Sequence, residues 1–375
     1  MPGRSAALLA IAGLAIALGW ILQETGALQP IELAAVDARF QVRGTVRPLP
    51  DVVVVGLDAR TLRELDVRPP LARSLHARLI DRIRNAGARA IAYDFVFAER
   101  TDDTQDGALV LAVRRTPRLV LAATRVDGDG ATDVFEGTEP VHAGSALFPV
   151  AGDGVVRRMP HDDRGVPSFA VETARLANGL DADPARFGGG GAWIDYAGPG
   201  GTVPTYAFSD VLAGRVGAQR LRGRIVVVGA TDPRLQDIKR TPFGDGMPGP
   251  EVQANAIATV LRGLPLRDAQ GWLALLVIAL AGAMGPLAAL RLWAPAWLGV
   301  TVALLLAGAV LVQAAFNGGT VLPVAPTGAA WLLASVGTIA VAYTGPRARR
   351  FAGPARRSSV TEGAATYGSS ASGGP

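Results

Sequence analysis

The sequence predicts a mainly parallel α/β sheet flanked by helices and carried on four transmembrane α-helices, one N-terminal and three C-terminal. From Ala269 to Pro346 the only charged residue is Arg291, whereas charges are frequent between Asp37 and Asp268. That contrast separates a lipid-facing region from a water-facing one. Within the charged region, β-branched runs apolar on both faces alternate with helical periodicity, the pattern of buried parallel strands and their crossover helices. A chain of 375 residues also exceeds the roughly 250 at which a single core stops growing. The expected division is an anchor over 1–23, an extracytoplasmic domain over 24–268, a three-helix membrane region over 269–344 and a disordered basic cytoplasmic tail over 345–375.

The first apolar run is uncharged from Ser5 to Gln23, about the length a helix needs to cross ~30 Å of hydrocarbon. It reads as a membrane helix or a signal peptide. The exit Gln23-Glu24-Thr25-Gly26 makes a poor cleavage site, which favours an uncleaved anchor. Past it, Leu33, Val36 and Phe40 recur at helical spacing, so an amphipathic helix is expected to join anchor and domain.

The run Asp51 to Asp58 opens the sheet, and Leu71, Leu75, Leu79, Ile83 and Ala86 form one face of a helix that Gly87 closes before the strand Ala90 to Asp94. A helix over Ala108 to Arg115 and a strand over Leu119 to Ala122 continue the alternation, with right-handed crossovers. An irregular stretch through Gly128-Asp129-Gly130 and Pro140 follows. Phe169 to Ala177 reads as a helix, and Ala192 to Tyr196 and Ile225 to Val228 as strands. A last helix holds Val252, Ala256, Ile257, Val260 and Leu261, with Pro250 in its first turn.

Apolar runs from Trp272 to Leu290, Leu292 to Phe316 and Val321 to Tyr343 complete the membrane region, with Asn317-Gly318-Gly319 as a turn. Placing Arg4, Arg291 and the Arg347/Arg349/Arg350 cluster on one side satisfies the positive-inside rule, so residues 24–268 lie outside and the tail inside. No Asp, Glu, Lys or Arg sits mid-helix, which argues against a transporter's ion path. Ala279, Gly282, Ala283 and Gly285 permit close helix packing.

Lys and Arg total 37 against 32 Asp and Glu, yet no basic patch with interleaved aromatics or binding-fold signature accompanies the excess, so no nucleic-acid partner is expected. With no cysteine, disulfides, thiol catalysis and thiolate metal sites are excluded.

Several stretches, taken in order, resemble the second family of CHASE domains, extracytoplasmic sensory modules associated with cyclases and histidine kinases. They are Asp37 to Gly44, Val52 to Asp58, Gly87 to Asp94, Gly154-Val-Val-Arg-Arg158, Leu221 to Thr231 and Met247 to Ile257. One helix before and three after the domain is also similar to that family. The chain departs from it at Arg68-Pro69-Pro70-Leu71-Ala72-Arg73, where a tryptophan-rich stretch is usual, and at Gln253, where histidine is common. Such chains usually continue into a cyclase or kinase; this one ends soon after the fourth helix, so no output enzyme is expected in it.

Asp58, Asp94 and Asp232 fall at or just beyond strand C-termini with Thr231 beside them, the edge where open α/β sheets bind ligands. Together they form the candidate site for a cation or polar ligand. The same aspartates also suit helix and turn caps, the plainer reading. Gly244-x-Gly246-x-x-Gly249 spells a dinucleotide fingerprint but does not directly follow a strand. His76, His142 and His161 are scattered and read as surface residues, and no metal site is expected of them. In the tail, Arg356-Arg357-Ser358-Ser359 resembles a basophilic kinase site at Ser358 and Ser359; a plain basic tether is the alternative.

The resemblance implies a multi-pass protein of a bacterial inner membrane. Its exported domain would detect a small-molecule or envelope signal and relay it through the helices to a separate cytoplasmic cyclase or kinase. No catalytic residue and no cofactor are expected, and the oligomeric state, a homodimer among the options, is left open. A structural or docking protein of the envelope and, further off, an envelope hydrolase acting through Asp58 are the competing readings.

Overall fold

The computed structural model describes residues 2–97, 100–123 and 141–343. Its helices are α1 (Pro2–Thr25), α2 (Gln29–Arg43), α3 (Ala59–Glu64), α4 (Arg73–Asn85), α5 (Asp103–Arg114), α6 (Phe169–Asn178), α7 (Phe208–Leu212), α8 (Gly249–Leu261), α9 (Gly271–Ala289), α10 (Ala294–Asn317) and α11 (Ala325–Thr338). The longer strands are β1 (Val52–Leu57), β2 (Ala90–Asp94), β3 (Leu119–Ala123) and β4 (His142–Ser145). Four two-residue strands follow: β5 (Arg158–Met159), β6 (Asp162–Asp163), β7 (Val166–Pro167) and β8 (Ala192–Trp193). The rest are β9 (Thr205–Ala207), β10 (Ile225–Ala230), β11 (Ile238–Thr241), β12 (Gly244–Pro248), β13 (Arg267–Asp268) and β14 (Thr320–Val321).

The doubly apolar runs become the middle of a six-stranded sheet, ordered β4-β3-β2-β10-β1-β9 and parallel throughout. Alternation along each strand divides the side chains between two cores. Val53, Val55, Leu57, Ile91, Tyr93, Val226 and Val228 face α4, α5 and α7. Val52, Val54, Ala90, Ala92, Ile225 and Val227 face α2, α6 and α8. With both faces covered, nearly every residue of β1, β2, β3 and β10 is buried, which is why they carry no polar alternation.

The edges depart from expectation. β4 and β9 are part of the sheet although neither is an apolar run, because an edge strand needs only one partner. At β4, Gly144 admits α6: a Cβ there would fall 2.6 Å from the Phe169 Cα. The strand expected over Ala192 to Tyr196 pairs only at Ala192 and Trp193, antiparallel to β5 and outside the main sheet. Beyond them, α8 replaces a strand partner: Thr259 Oγ1 accepts from the Asp195 N–H and Asn255 Oδ1 from the Ala197 N–H. β11 and β12 form a hairpin, and the Gly244 to Gly249 motif lies along it and enters α8, not at a parallel βα turn.

His76 corrects another expectation. It is buried, not a surface residue, with Nδ1 2.7 Å from the Tyr93 hydroxyl and its ring edge-on to Phe95, Phe97 and Phe208. Burial, aided by the Arg73 charge, pushes its pKa down to about 4. His142 and His161 are half-buried, each beside a carboxylate, Glu172 at 3.2 Å and Asp162 at 3.0 Å.

The described chain divides into two compact units. The sheet belongs to the unit built from Leu22–Val277 and Leu306–Pro326. The other draws on Ile278–Leu305 with the described residues up to Ile21 and from Thr327. Among the described residues, four helices are long and apolar enough to cross a membrane: Gly3–Thr25, Gly271–Ala289, Ala294–Asn317 and Ala325–Ala342. In the second unit small residues set the packing distance: a Cβ on Gly282 would meet Ile16 at 2.9 Å, and one on Gly337 would meet Ile11 at 2.8 Å. The segment around Gly128 and the tail with Ser358 and Ser359 lie outside the described residues.

Candidate functional site

The strand register brings the four residues of the predicted site to one sheet edge, since Leu57 lies opposite Ala230 and Gly229 opposite Asp94. Two of the carboxylates there are already engaged. Asp58 caps α3, its Oδ1 accepting from the Thr61 N–H at 2.7 Å. Asp232 accepts from the Arg234 N–H at 3.0 Å and pairs with its guanidinium at 2.6 Å, which holds the carboxyl below its ordinary range. Both act as the caps that the plainer reading assigns them. Thr231 packs its side chain over Gly56, leaving no room for a Cβ at that glycine.

Asp94 differs, being neither a helix cap nor tied to a guanidinium. It stands half-buried beside Gly229, where a Cβ would lie 3.3 Å from the Asp94 Cβ and 2.8 Å from Pro250. Desolvation, reinforced by the nearby Asp237 and only partly countered by Lys239, pushes its pKa up to about 7. Among the described residues, no group of three or more His, Cys, Asp or Glu side chains is placed to hold a metal ion.

A cleft of about 490 Å³ opens elsewhere in the same unit. Its charged lining comes from Arg157, Arg158, Asp268 and Glu32, with Trp193 beside them. Arg157 is buried, and its guanidinium grips Asp37 bidentately at 2.7 and 2.6 Å and Asp153 at 3.0 and 2.6 Å. Burial works against this charge, but hydrogen bonds to the two carboxylates outweigh it and hold the guanidinium above its ordinary value. In return Arg157 draws Asp153 down to about 2. Arg158 lies 3.7 Å over the Trp193 ring, a cation–π contact. It also bonds both oxygens of Asp268, and Asp268 Oδ1 accepts from Trp193 Nε1 at 2.8 Å.

Helix α2 forms one side of this cleft and reaches past it. Glu32 Oε1 accepts from Arg39 at 2.8 Å, and Oε2 accepts from the N–H groups of Val324 and Ala325 at 2.7 and 2.8 Å. A carboxylate thus satisfies the orphan donors at the start of α11. Arg39 Nη1 donates to the Leu322 carbonyl at 2.9 Å. At the next residue, Phe40 packs edge-on against Phe316 of α10 with ring centroids 5.0 Å apart. Arg43 reaches Asp195 at 2.7 Å, which Arg262 also holds at 2.9 Å.

Sequence reasoning missed the cleft. Its buried Arg157 pairs with Asp37, and no periodicity connects positions 37 and 157. The signal present was indirect, since Asp37 and Arg157 each belong to a stretch that carries the family resemblance.

The family model of the CHASE2 domain matches residues 10–286. Among curated proteins and solved structures, none matches the chain.

Proposed function

This chain belongs to the CHASE2 domain family, a family of sensory domains, and from that premise we propose that it senses a signal outside the cytoplasm and relays it through its apolar helices to a separate cytoplasmic partner, a cyclase or kinase. The sheet domain faces the extracytoplasmic side of an inner membrane and the tail from residue 345 the cytoplasm. The observation that carries the reading is the double engagement of α2. On one side its Asp37 holds Arg157 at the cleft; on the other its Glu32 and Arg39 hold Leu322, Val324 and Ala325, where α11 begins. A ligand that changes the Asp37–Arg157 contact thereby acts on the helix that caps the last apolar segment. A two-state relay requires a contact that differs between the states, and this pair is where the proposal places it.

The proposed role is non-catalytic, a reading supported at the sheet edge by the engagement of Asp58 with Thr61 and of Asp232 with Arg234, while Asp94 there is neither a helix cap nor paired with a guanidinium.

Affinity purification of the tagged full-length chain from native membranes, with a deletion from residue 269 onward as control, tests the relay. A cyclase or kinase that co-purifies with the full chain and disappears in the control is the expected result. Recovery of exported proteins alone, unaffected by the deletion, sinks it in favour of an envelope-docking protein. Because the chain has no cysteine, a single Arg220→Cys substitution, labelled by an impermeant maleimide on intact cells, tests the orientation.

A further inference from the structure

We propose that the cleft beside α2 binds an organic ammonium ion carrying an apolar chain, which names the ligand class for the sensor reading above and rests on it. The charges that remain available in the cleft set the sign of the ligand it can take. Arg157 is 3% exposed in its side chain and its Nε, Nη1 and Nη2 are all bonded to Asp37 and Asp153. Arg158 has Nη1 on the Gly191 carbonyl, Nη2 on Asp268 and one face on Trp193. An entering anion therefore finds Arg157 fully committed and the charge of Arg158 already paired with the Asp268 carboxylate.

A cation meets the opposite situation. Asp268 keeps 57% of its side chain exposed although it accepts from Arg158 and Trp193, and Glu32 keeps 23%. A carboxylate has about four acceptor positions, so Asp268, with three donor contacts, retains capacity for an N⁺–H group. Taking the four charged lining residues with the ion-pair partners Asp37, Asp153 and Arg39, four carboxylates face three guanidinium groups. The amides of Gln23 and Gln29 at the rim add neutral acceptors.

The remaining wall is hydrocarbon: Leu33, Ala274, Val321 and Leu322. Ala274 lies near the start of α9 and Gln23 near the end of α1, both helices of membrane-crossing length and apolarity. The cleft therefore opens where such segments leave the apolar layer, which is where an amphiphile places its headgroup. The volume, about 490 Å³, suits a headgroup with a few methylenes. Two sources offer this chemistry, the ammonium headgroup of an aminophospholipid and a free alkylamine.

The test uses the full-length chain in nanodiscs of phosphatidylglycerol, titrated with hexylammonium and, as the anionic counterpart, with hexanoate. Binding is followed by the melting temperature of the sheet domain. A second arm adds phosphatidylethanolamine to the discs and counts retained lipid by native mass spectrometry. Saturable stabilisation by hexylammonium and not by hexanoate is expected, weakened about tenfold or more in Asp268→Asn by loss of one charge-assisted contact. Gln29→Trp, which fills the rim and keeps every ion pair, is expected to weaken it as well. Retained phosphatidylethanolamine that hexylammonium displaces identifies the lipid source; hexylammonium binding without retained lipid identifies the free amine. Equal or tighter binding of hexanoate, no binding of either probe, or indifference to both substitutions overturns the proposal. Partner recovery by affinity purification is read independently, so its failure marks the relay and not the ligand class.

Discussion

Replacing Arg157 by Met removes the one cation that Asp37 and Asp153 share. Breaking a buried ion pair from one side costs about 3–5 kcal/mol, because the partner is left charged and dry. Asp153 is 46% exposed and rehydrates, whereas Asp37, at 19%, does so only in part, which places the expected loss at the lower end, about 3 kcal/mol. In a domain of this size that lowers the melting temperature by roughly 6–12 °C. The assay is thermal unfolding of the full chain in nanodiscs, followed by tryptophan fluorescence. A companion, Arg157→Met with Asp37→Asn, removes the stranded charge and should recover about half of the loss. Acid supplies an independent check. Asp153 is held down to about 2 by Arg157, so its share of stability is present above its ordinary pKa and vanishes as pH falls through 2. The variant should lose that part of the acid transition. An unchanged melting temperature in Arg157→Met, or a double variant no better than the single, would refute the claim that this pair anchors α2.

Three further outcomes are expected. Glu32→Gln weakens the cap on α11, so amide exchange at Val324 and Ala325 should quicken roughly tenfold, the equivalent of a lost cap. Gly56→Ala drives a methyl into Thr231 and should cost about 1–3 kcal/mol of overpacking, with Thr231→Ala restoring most of it in a denaturant titration. Asp94 has its folded pKa raised to about 7, so the folded state holds the extra proton and stability falls as pH rises from about 4 to 7. Asp94→Asn should then match the parent near pH 4 and exceed it above pH 7 by about 2 kcal/mol, a figure discounted for partial solvent contact.

The predictions differ in how much of their basis was visible in one dimension. The central strands and their helices were legible because burial on both faces leaves a local mark, as in the Val52 to Val55 run. The four apolar segments were legible because hydrocarbon admits almost no charge. Pro250 and Gly87 marked a helix start and a helix end by their own backbone preferences, Pro250 in the first turn of α8 and Gly87 at a φ of 83° after α4. The edge strands β4 and β9 left no such mark, since a strand with one neighbour carries ordinary polar residues.

The site divides along the same line. Sequence by itself determined that Asp58, Asp94, Thr231 and Asp232 would gather at one sheet edge, because residues that follow parallel neighbouring strands must end together. It also determined the family, through short stretches whose order was the signal. Only the tertiary structure decided that Asp58 and Asp232 are caps while Asp94 is not, since capping depends on where the next N–H points. Only it showed that His76 is buried against Tyr93, that side chains of α8 take the place of a strand beside Asp195, and that Arg157, in the lining of a cleft, pairs with Asp37. These are contacts between residues far apart in the chain, chosen by packing geometry, and a local pattern carries no information about which distant partner a charge will find.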